Sequence, residues 1–426
     1  MRIRDISTIK INHLTILAFV MYILLIDLVL GGSGNLFAVG PLSVRKVFVV
    51  IAVGLLFIDA LINGIKMNVE SILALCFIVY LIFSWTWGLI QGNSMSFATD
   101  ELFGYFSLLL IPVYFTCFSR NEINLENYMK LFRALTIVLS LLAIAMWLLC
   151  LVGGVAVSSL IYRSLLQYNY GYISFVGIIP RLFLKGHVFI CIGSLFAVYK
   201  MFTQKVTFKD VVTMGIYFFA IIISFTTGFL VFASVIMMLI FIHCASKDAR
   251  KAVIPACIII LLVIAVIQFG GLDAFKERFS KANNDGILSA SVKGKEFVVL
   301  LDEFTRSPLI GTGLGGRLTN YYPVLKNYSF RFEIMWLELL YHTGIAGFGL
   351  YISLLAVTFI DMFKEYRIKG FHYSYIMAMG LLFLCFESCT NPFMNNAIGI
   401  GYLAICAGFV SSSPEGLKKT EKTGGV

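Results

Sequence analysis

Two cations flank a short apolar run in Pro180-Arg181-Leu182-Phe183-Leu184-Lys185-Gly186-His187, and the surrounding stretch 154–186 holds no Asp or Glu to neutralise them. A guanidinium fork at a low-dielectric surface suits a diphosphate, because it offers paired charge-assisted hydrogen bonds. The plainer alternative is a helix-end cation snorkelling to a membrane interface. Arg45 and Lys46, after Pro41-Leu42-Ser43-Val44, admit the same two readings. For that pair taken alone, the anchor is the simpler one.

A second group of ionisable residues lies near 331–342. On a helix starting near Arg331, positions 331, 335, 338 and 342 share a face, which aligns Arg331, Glu338 and His342 with Glu333 at the outer end. Ionisable groups entering a membrane usually face a cavity or one another. A carboxylate or imidazole there could take a proton from a sugar hydroxyl. The alternative is a satisfied Glu338–His342 pair that only locks the helix. Lys293, Lys295, Arg306 and Arg317 read as solvated loop cations. Asp27, Asp59 and Glu387 are acids within apolar runs and could mark an ion path, with Glu387 bordering the 331–342 group. No metal site is expected, since the nine cysteines lack zinc-finger spacing and His243-Cys244 is too small a set. Gly311-Thr312-Gly313-Leu314-Gly315-Gly316 follows no strand of a βαβ unit, so it reads as a tight turn and not as a nucleotide loop.

The elements that must position these residues are membrane helices. The chain has 426 residues, 59% hydrophobic and 13% charged, with mean hydropathy +0.91. Soluble domains carry about a quarter charged residues, so this is an all-α polytopic membrane protein, a single integral membrane domain over 1–426. The basic start, Met1 to His13, leads into an apolar run with no small-residue cleavage site after it, which predicts a retained first span. Runs long enough to span, about 20 residues, predict about twelve helices at 14–31, 47–65, 70–90, 102–118, 131–153, 187–203, 210–224, 227–246, 252–269, 344–363, 373–390 and 394–411. The seventh and eighth could be one kinked helix, and Pro112 is tolerable inside the fourth. Nineteen of the 33 Lys and Arg residues fall in segments that an inside N-terminus places in the cytoplasm, which predicts both termini inside and a cytoplasmic tail over 412–426. The segment 270–335 is then a long outer loop. Leu272, Phe275 and Phe279, and then Phe297, Leu300, Leu301 and Phe304, predict short amphipathic helices on the outer surface, the second ended by Pro308 and the glycines.

The loop Pro308-Leu309-Ile310-Gly311-Thr312-Gly313 is followed by Glu333-x-x-x-Leu337-x-x-Leu340-x-x-x-Gly344-x-x-Gly347. This resembles the long outer loop and following helix of the O-antigen polymerase and O-antigen ligase superfamily, bacterial inner-membrane glycosyltransferases with a fold similar to the GT-C class. Pro41 to Lys46, Arg181 with Gly186, and Ser224 to Gly228 add to the resemblance, which covers the whole chain in layout. Ligases commonly open the helix with His-Asn, where this chain has Glu333-Ile334, and the basic residue about fifteen positions before the loop proline is Lys293 instead of the commoner Arg. The missing His-Asn pair points to the polymerase side. The resemblance implies attack by an acceptor sugar hydroxyl on a glycan carried by undecaprenyl diphosphate, at the periplasmic face, without metal or other cofactor. It implies Glu333 as first choice for acceptor activation and His342 as second, with Arg45, Arg181, Lys185, Arg331, Glu338 and Lys293 binding diphosphate or substrate. Membrane lipid, a chain-length regulator and a flippase are candidate partners, and no nucleic acid is expected.

Two other readings compete. A ligase would transfer finished glycan to lipid A-core. A transporter or flippase of lipid-linked sugars would show paired repeats around a midplane site, whereas here no repeat is visible and the polar residues gather at one face.

Overall fold

The computed structural model describes residues 13–32, 34, 38–39, 42–64, 66–176, 179–247, 293–318, 331–370 and 372–410. The expected span at 252–269, the amphipathic run at Leu272 to Phe279 and the tail after 411 lie outside the described residues.

The apolar runs become helices. They are α1 (His13–Leu30), α2 (Val44–Asn63), α3 (Val69–Ile90), α4 (Met95–Tyr105), α5 (Leu110–Ser119), α6 (Leu125–Gln167), α7 (His187–Thr203), α8 (Phe208–Ile222) and α9 (Thr227–Lys247). Next come α10 (293–306), α11 (Met335–Lys369), α12 (His372–Glu387) and α13 (Ala397–Val410). A single 3₁₀ turn, Phe106–Leu109, joins α4 to α5. Pro112 falls in the first turn of α5, where its missing N–H leaves no helical bond unmade. Among the described residues, seven helices are long and apolar enough to cross a membrane: α1, α2, α3, the α4–α5 run, α6, α9 and α11. The shorter α7, α8, α12 and α13 coincide with four further expected spans.

Burial sorts these helices into layers. α7 and α13 are buried on nearly every side, as expected of helices apolar all round and surrounded by protein. α2 lies at the edge, with Val50, Leu61 and Ile62 exposed where lipid chains would cover them. At one end of the bundle, buried Asp59 accepts from Arg120 at 2.7 Å and Asn63 at 2.8 Å and contacts His13 at 2.9 Å, tying α1, α2 and the end of α5 together. At the opposite end of α1 and α2, Asp27 meets Arg45. That alternation fits an up-and-down bundle.

Two boundaries differ from the sequence reading, and the choice between two helices and one kinked helix over 210–246 falls to two, as the expected spans had it. α6 does not stop near 153. It breaks at Gly154 (φ 59°, ψ −151°) and continues to Gln167, with the Ser158 hydroxyl donating to the Gly154 carbonyl at 2.8 Å across the break. The rest of the expected loop is an antiparallel hairpin, β3 (Gly171–Val176) with β4 (Ile179–Leu184), following a two-residue pair, β1 (Ala38–Val39) with β2 (Leu42–Ser43). α8 and α9 are separate helices, joined by a turn in which Phe225 has φ 45°. Finally, α11 starts at Met335, so Arg331 and Glu333 lie on the irregular segment leading into it and not on its face; the expected stripe reduces to Glu338 and His342.

Candidate active site at one end of the bundle

The glycine-rich loop is a plug for a broken helix. Gly344 (φ 62°, ψ −172°) interrupts α11 and frees the carbonyls of the turn before it. The loop answers with its own amides: Thr312 N–H donates to the Tyr341 carbonyl and Gly313 N–H to the His342 carbonyl, both at 3.0 Å. In the other direction, Ile345 and Ala346 N–H donate to the Pro308 and Leu309 carbonyls at 2.8 and 3.1 Å. Buried backbone groups need partners, and the remaining loop carbonyls find theirs on the last turn of α3 and the turn that follows it: the Asn93 side-chain amide donates to residues 312, 313 and 314, and the Trp87 indole to Gly311. Gly313 sits so close to Gly88 that a Cβ on it would come within 2.3 Å of the Gly88 backbone. The expected tight turn is therefore also the joint between α3 and α11.

A buried ionisable cluster lies against this joint. The Glu101 carboxylate on α4 meets His342 Nδ1 at 2.6 Å and accepts from Gly315 N–H at 2.8 Å. His342 Nε2 lies 3.2 Å from the Gly316 carbonyl, to which it can only donate. Glu338 accepts from the Phe332 amide at 2.9 Å and the Asn395 side-chain amide at 3.1 Å. The hydrogen-bond partner of His342 is thus Glu101, not Glu338, and the two lie 241 positions apart. Glu101, Glu338 and His342 present ligand-type atoms within 4.8 Å of one another, a grouping able to hold a cation. Each of those atoms already has a hydrogen-bond partner within the protein. With His342 wholly buried, the cluster reads as a rivet that fixes the loop and the entry to α11.

The groups open to a substrate surround that entry. Arg331 donates to the Asp100 backbone and side chain at 3.2 Å and keeps part of its side chain exposed. Burial pulls its guanidinium down, but the carboxylates of Glu338, Asp100 and Glu101 outweigh this and raise it. Lys185 follows β4 and donates to the Asn169 side chain at 2.8 Å. Burial, helped by the nearby Arg331 charge, lowers its ammonium to about 8. The structure therefore brings Lys185 and Arg331 within electrostatic reach of each other, although 146 positions separate 185 from 331 in sequence. Should that ammonium stabilise a bound diphosphate, kcat/KM falls as pH rises through about 8, because the free enzyme loses the charge there. Lys185→Arg, which stays charged, is expected to remove that alkaline limb in a pH-rate series.

Arg181 lies on the partly open face of β4, opposite Ser174. Its Nε donates to the Ser224 carbonyl at 2.9 Å and its guanidinium lies 5.2 Å from the ring centre of Tyr172 on the neighbouring strand. This fixes the fork while leaving its remaining donors outside those contacts. On the other side of the entry, Lys293 of α10 pairs with Glu333 at 3.1 Å and donates to the Thr390 carbonyl at 3.1 Å. Two carboxylates are exposed here, Glu333 with its side chain 48% accessible and Asp100 with 60%.

Arg45 is placed differently from the others. It is buried, donating through Nε to Asp27 Oδ2 at 2.6 Å and through Nη2 to the Asp27 and Gly32 carbonyls. Asp27 occupies the fork that the sequence suggested for a diphosphate. Glu387 is buried against Gly228 at the start of α9 and accepts from Asn391 at 2.5 Å. Sequence reasoning missed Glu101 and also Glu296, which accepts from the Glu333 amide at 2.7 Å. Glu101 stands one position before an expected span, and an acid at that boundary was the available signal; Glu296 in Lys293-Gly294-Lys295-Glu296 offered none.

No family model matches the chain. The chain is similar to a protein named O-antigen polymerase from Shigella flexneri, at 24% identity over 392 residues, covering 91% of this chain and 93% of the relative. That similarity bears out the resemblance drawn from the sequence, on its polymerase side.

Proposed function

We propose that this protein is a polysaccharide polymerase of the inner membrane. It transfers a glycan chain from undecaprenyl diphosphate to a lipid-linked repeat unit at the periplasmic face. The near full-length similarity to an O-antigen polymerase carries this reading, and the gathering of Arg181, Lys185, Arg331, Lys293 and Glu333 at one end of the bundle supports it.

The acceptor hydroxyl attacks the anomeric carbon, the bond to the diphosphate oxygen breaks, and lipid diphosphate leaves with the bonding pair. Arg181, Lys185 and Arg331 offset the charge that develops on the leaving group; fixed cations act strongly where water is scarce. Glu333 receives the hydroxyl proton, since its carboxylate is exposed, whereas Asp100 is taken up by Arg331 and His342 is enclosed. His342 and Glu338 instead hold the scaffold, and Arg45 pins α1 to α2 through Asp27. Holding two lipid-tethered substrates side by side lowers the barrier further. The buried trio Glu101, Glu338 and His342 takes no part in this step. A general-base role is worth about 10²–10⁴-fold in rate, so Glu333→Gln is expected to lower turnover into that range in a polymerisation assay. Unchanged turnover would remove Glu333 from the mechanism.

The cellular test is the surface-glycan profile of a strain lacking the protein, separated on a gel. Acceptor carrying a single repeat, with the ladder gone, supports polymerase. Loss of all glycan from the acceptor while lipid-linked polymer accumulates would identify a ligase instead. Trapping of lipid-linked units on the inner side would identify a flippase.

A further inference from the structure

The entry to α11 has no capping side chain of its own: Ile334 stands at the N-cap position without a side-chain hydrogen bond. Buried amides in the segment leading into the helix still need partners. Two carboxylates supply them, one on α11 itself and one on α10. Glu338 takes the Phe332 amide from within the bundle. Glu296, from α10 in the long outer segment, takes the Glu333 amide at 2.7 Å, with the Ile334 amide also bonding to it. Glu296 is 3% exposed, although α10 shows Phe297, Val298 and Leu301 to the outside. One turn away, Lys293 grips Glu333 and the Thr390 carbonyl. Leu300 packs with Leu318, Phe332 and Tyr341 below the helix. Residues 293, 296 and 300 thus form one docking face, whose centre is a carboxylate bonded to the backbone of the proposed proton acceptor.

We propose that Glu296 is a positioning residue: seated with α10 over the site, it fixes the backbone at Glu333 and so aims the Glu333 carboxylate and the adjacent Arg331 at the substrate. Through its activity arm the inference rests on the polymerase reading above. The geometry makes α10 a roof whose docking sets the competence of the site.

This seat responds to pH. Burial pushes Glu296 up to about 7; the Glu333 carboxylate adds to the rise, while the Glu333 and Ile334 amides and the Lys293 ammonium oppose it. With the roof lifted, the same carboxyl in water titrates at its ordinary value of about 4.3. A group whose pKa is higher docked than undocked favours docking when protonated. Docking is therefore tightest in acid, weakens as pH climbs from about 4.3 to about 7, and is level above that.

The test is hydrogen exchange of the peptide covering 331–337 in the full-length protein in lipid nanodiscs, corrected for intrinsic rates across this pH range, alongside turnover of a lipid-linked repeat unit. Glu296→Ala is expected to speed exchange at the Glu333 amide by about tenfold, the loss of one hydrogen bond to a charged group, and to lower kcat with KM little changed. Glu296→Gln keeps an oxygen for the amide but cannot ionise. It is expected to restore protection and kcat and to abolish the pH dependence of exchange. Unaltered exchange in Glu296→Ala, or a pH dependence that persists in Glu296→Gln, would overturn the proposal. An exchange response as predicted in a protein that makes no polymer would support the seat and reject the polymerase reading.

Discussion

Gly344→Ala is expected to abolish polymer formation and to leave little folded protein in the membrane. At φ 62° and ψ −172°, the backbone occupies a region open essentially to glycine alone, at a cost of about 1–3 kcal/mol for another residue. A Cβ there would also lie 2.4 Å from the Leu309 carbonyl carbon and oxygen and 2.6 Å from the Gly311 nitrogen. These are backbone atoms of the plugging loop, so no side chain can rotate away. Overpacking adds about 1–3 kcal/mol, and moving the loop breaks the amide bonds from Thr312 and Gly313 that close the helix break. Since whole domains are stable by only about 5–15 kcal/mol, the combined loss is large. Detergent-solubilised yield and thermal unfolding would show it. A variant with normal yield and melting would mean that the loop and the helix break do not depend on each other. Gly349 makes a suitable control: it lies on the same helix and an added Cβ there meets open space.

Arg181→Ala is expected to leave folding intact and lower turnover by about 10²–10³-fold, the usual cost of one preorganised donor to a developing charge. Its side chain is partly exposed and, among the described residues, makes a single hydrogen bond, to the Ser224 carbonyl, besides the Tyr172 ring contact. Arg181→Lys is expected to recover little. An ammonium cannot bond Ser224 through one nitrogen while presenting a planar pair to phosphate oxygens. A lysine variant with full turnover would show that charge alone matters at this position. Arg45→Ala should behave in the opposite sense, since it strands buried Asp27 without its cation: destabilisation leads and any loss of turnover follows from it.

The helices were legible because membrane spans announce themselves by length and apolarity, and each of the seven described helices able to cross a membrane overlaps an expected run, with α6 and α11 extending well past theirs. The breaks were not. Gly154 and Gly344 stand at the edges of the expected runs 131–153 and 344–363, where they read as run ends, and positive φ leaves no mark in composition. The hairpin carrying Arg181 was hidden for a related reason. Six-residue strands at a membrane surface alternate weakly, and the flanking cations suggested a helix end. Arg181 and Lys185 stood out as cations where acids are scarce, and Arg331 through its place on an expected helix face. Arg45 stood out as a cation at a helix start; its partner Asp27 lies on the preceding helix and was read separately as a possible ion path. Glu101 and His342 pair across 241 positions, and a period-based reading of one helix could only offer His342 its own neighbour Glu338.

The most direct measurement is reconstitution of the purified protein in nanodiscs with a single lipid-linked repeat unit as the only glycan, followed by separation of lipid-bound products by length. The account predicts chains of two and more repeats, with undecaprenyl diphosphate released for each linkage formed and Arg181→Ala slowing both together. A substrate that stays at one repeat under those conditions, with the protein folded and the lipid intact, would contradict it.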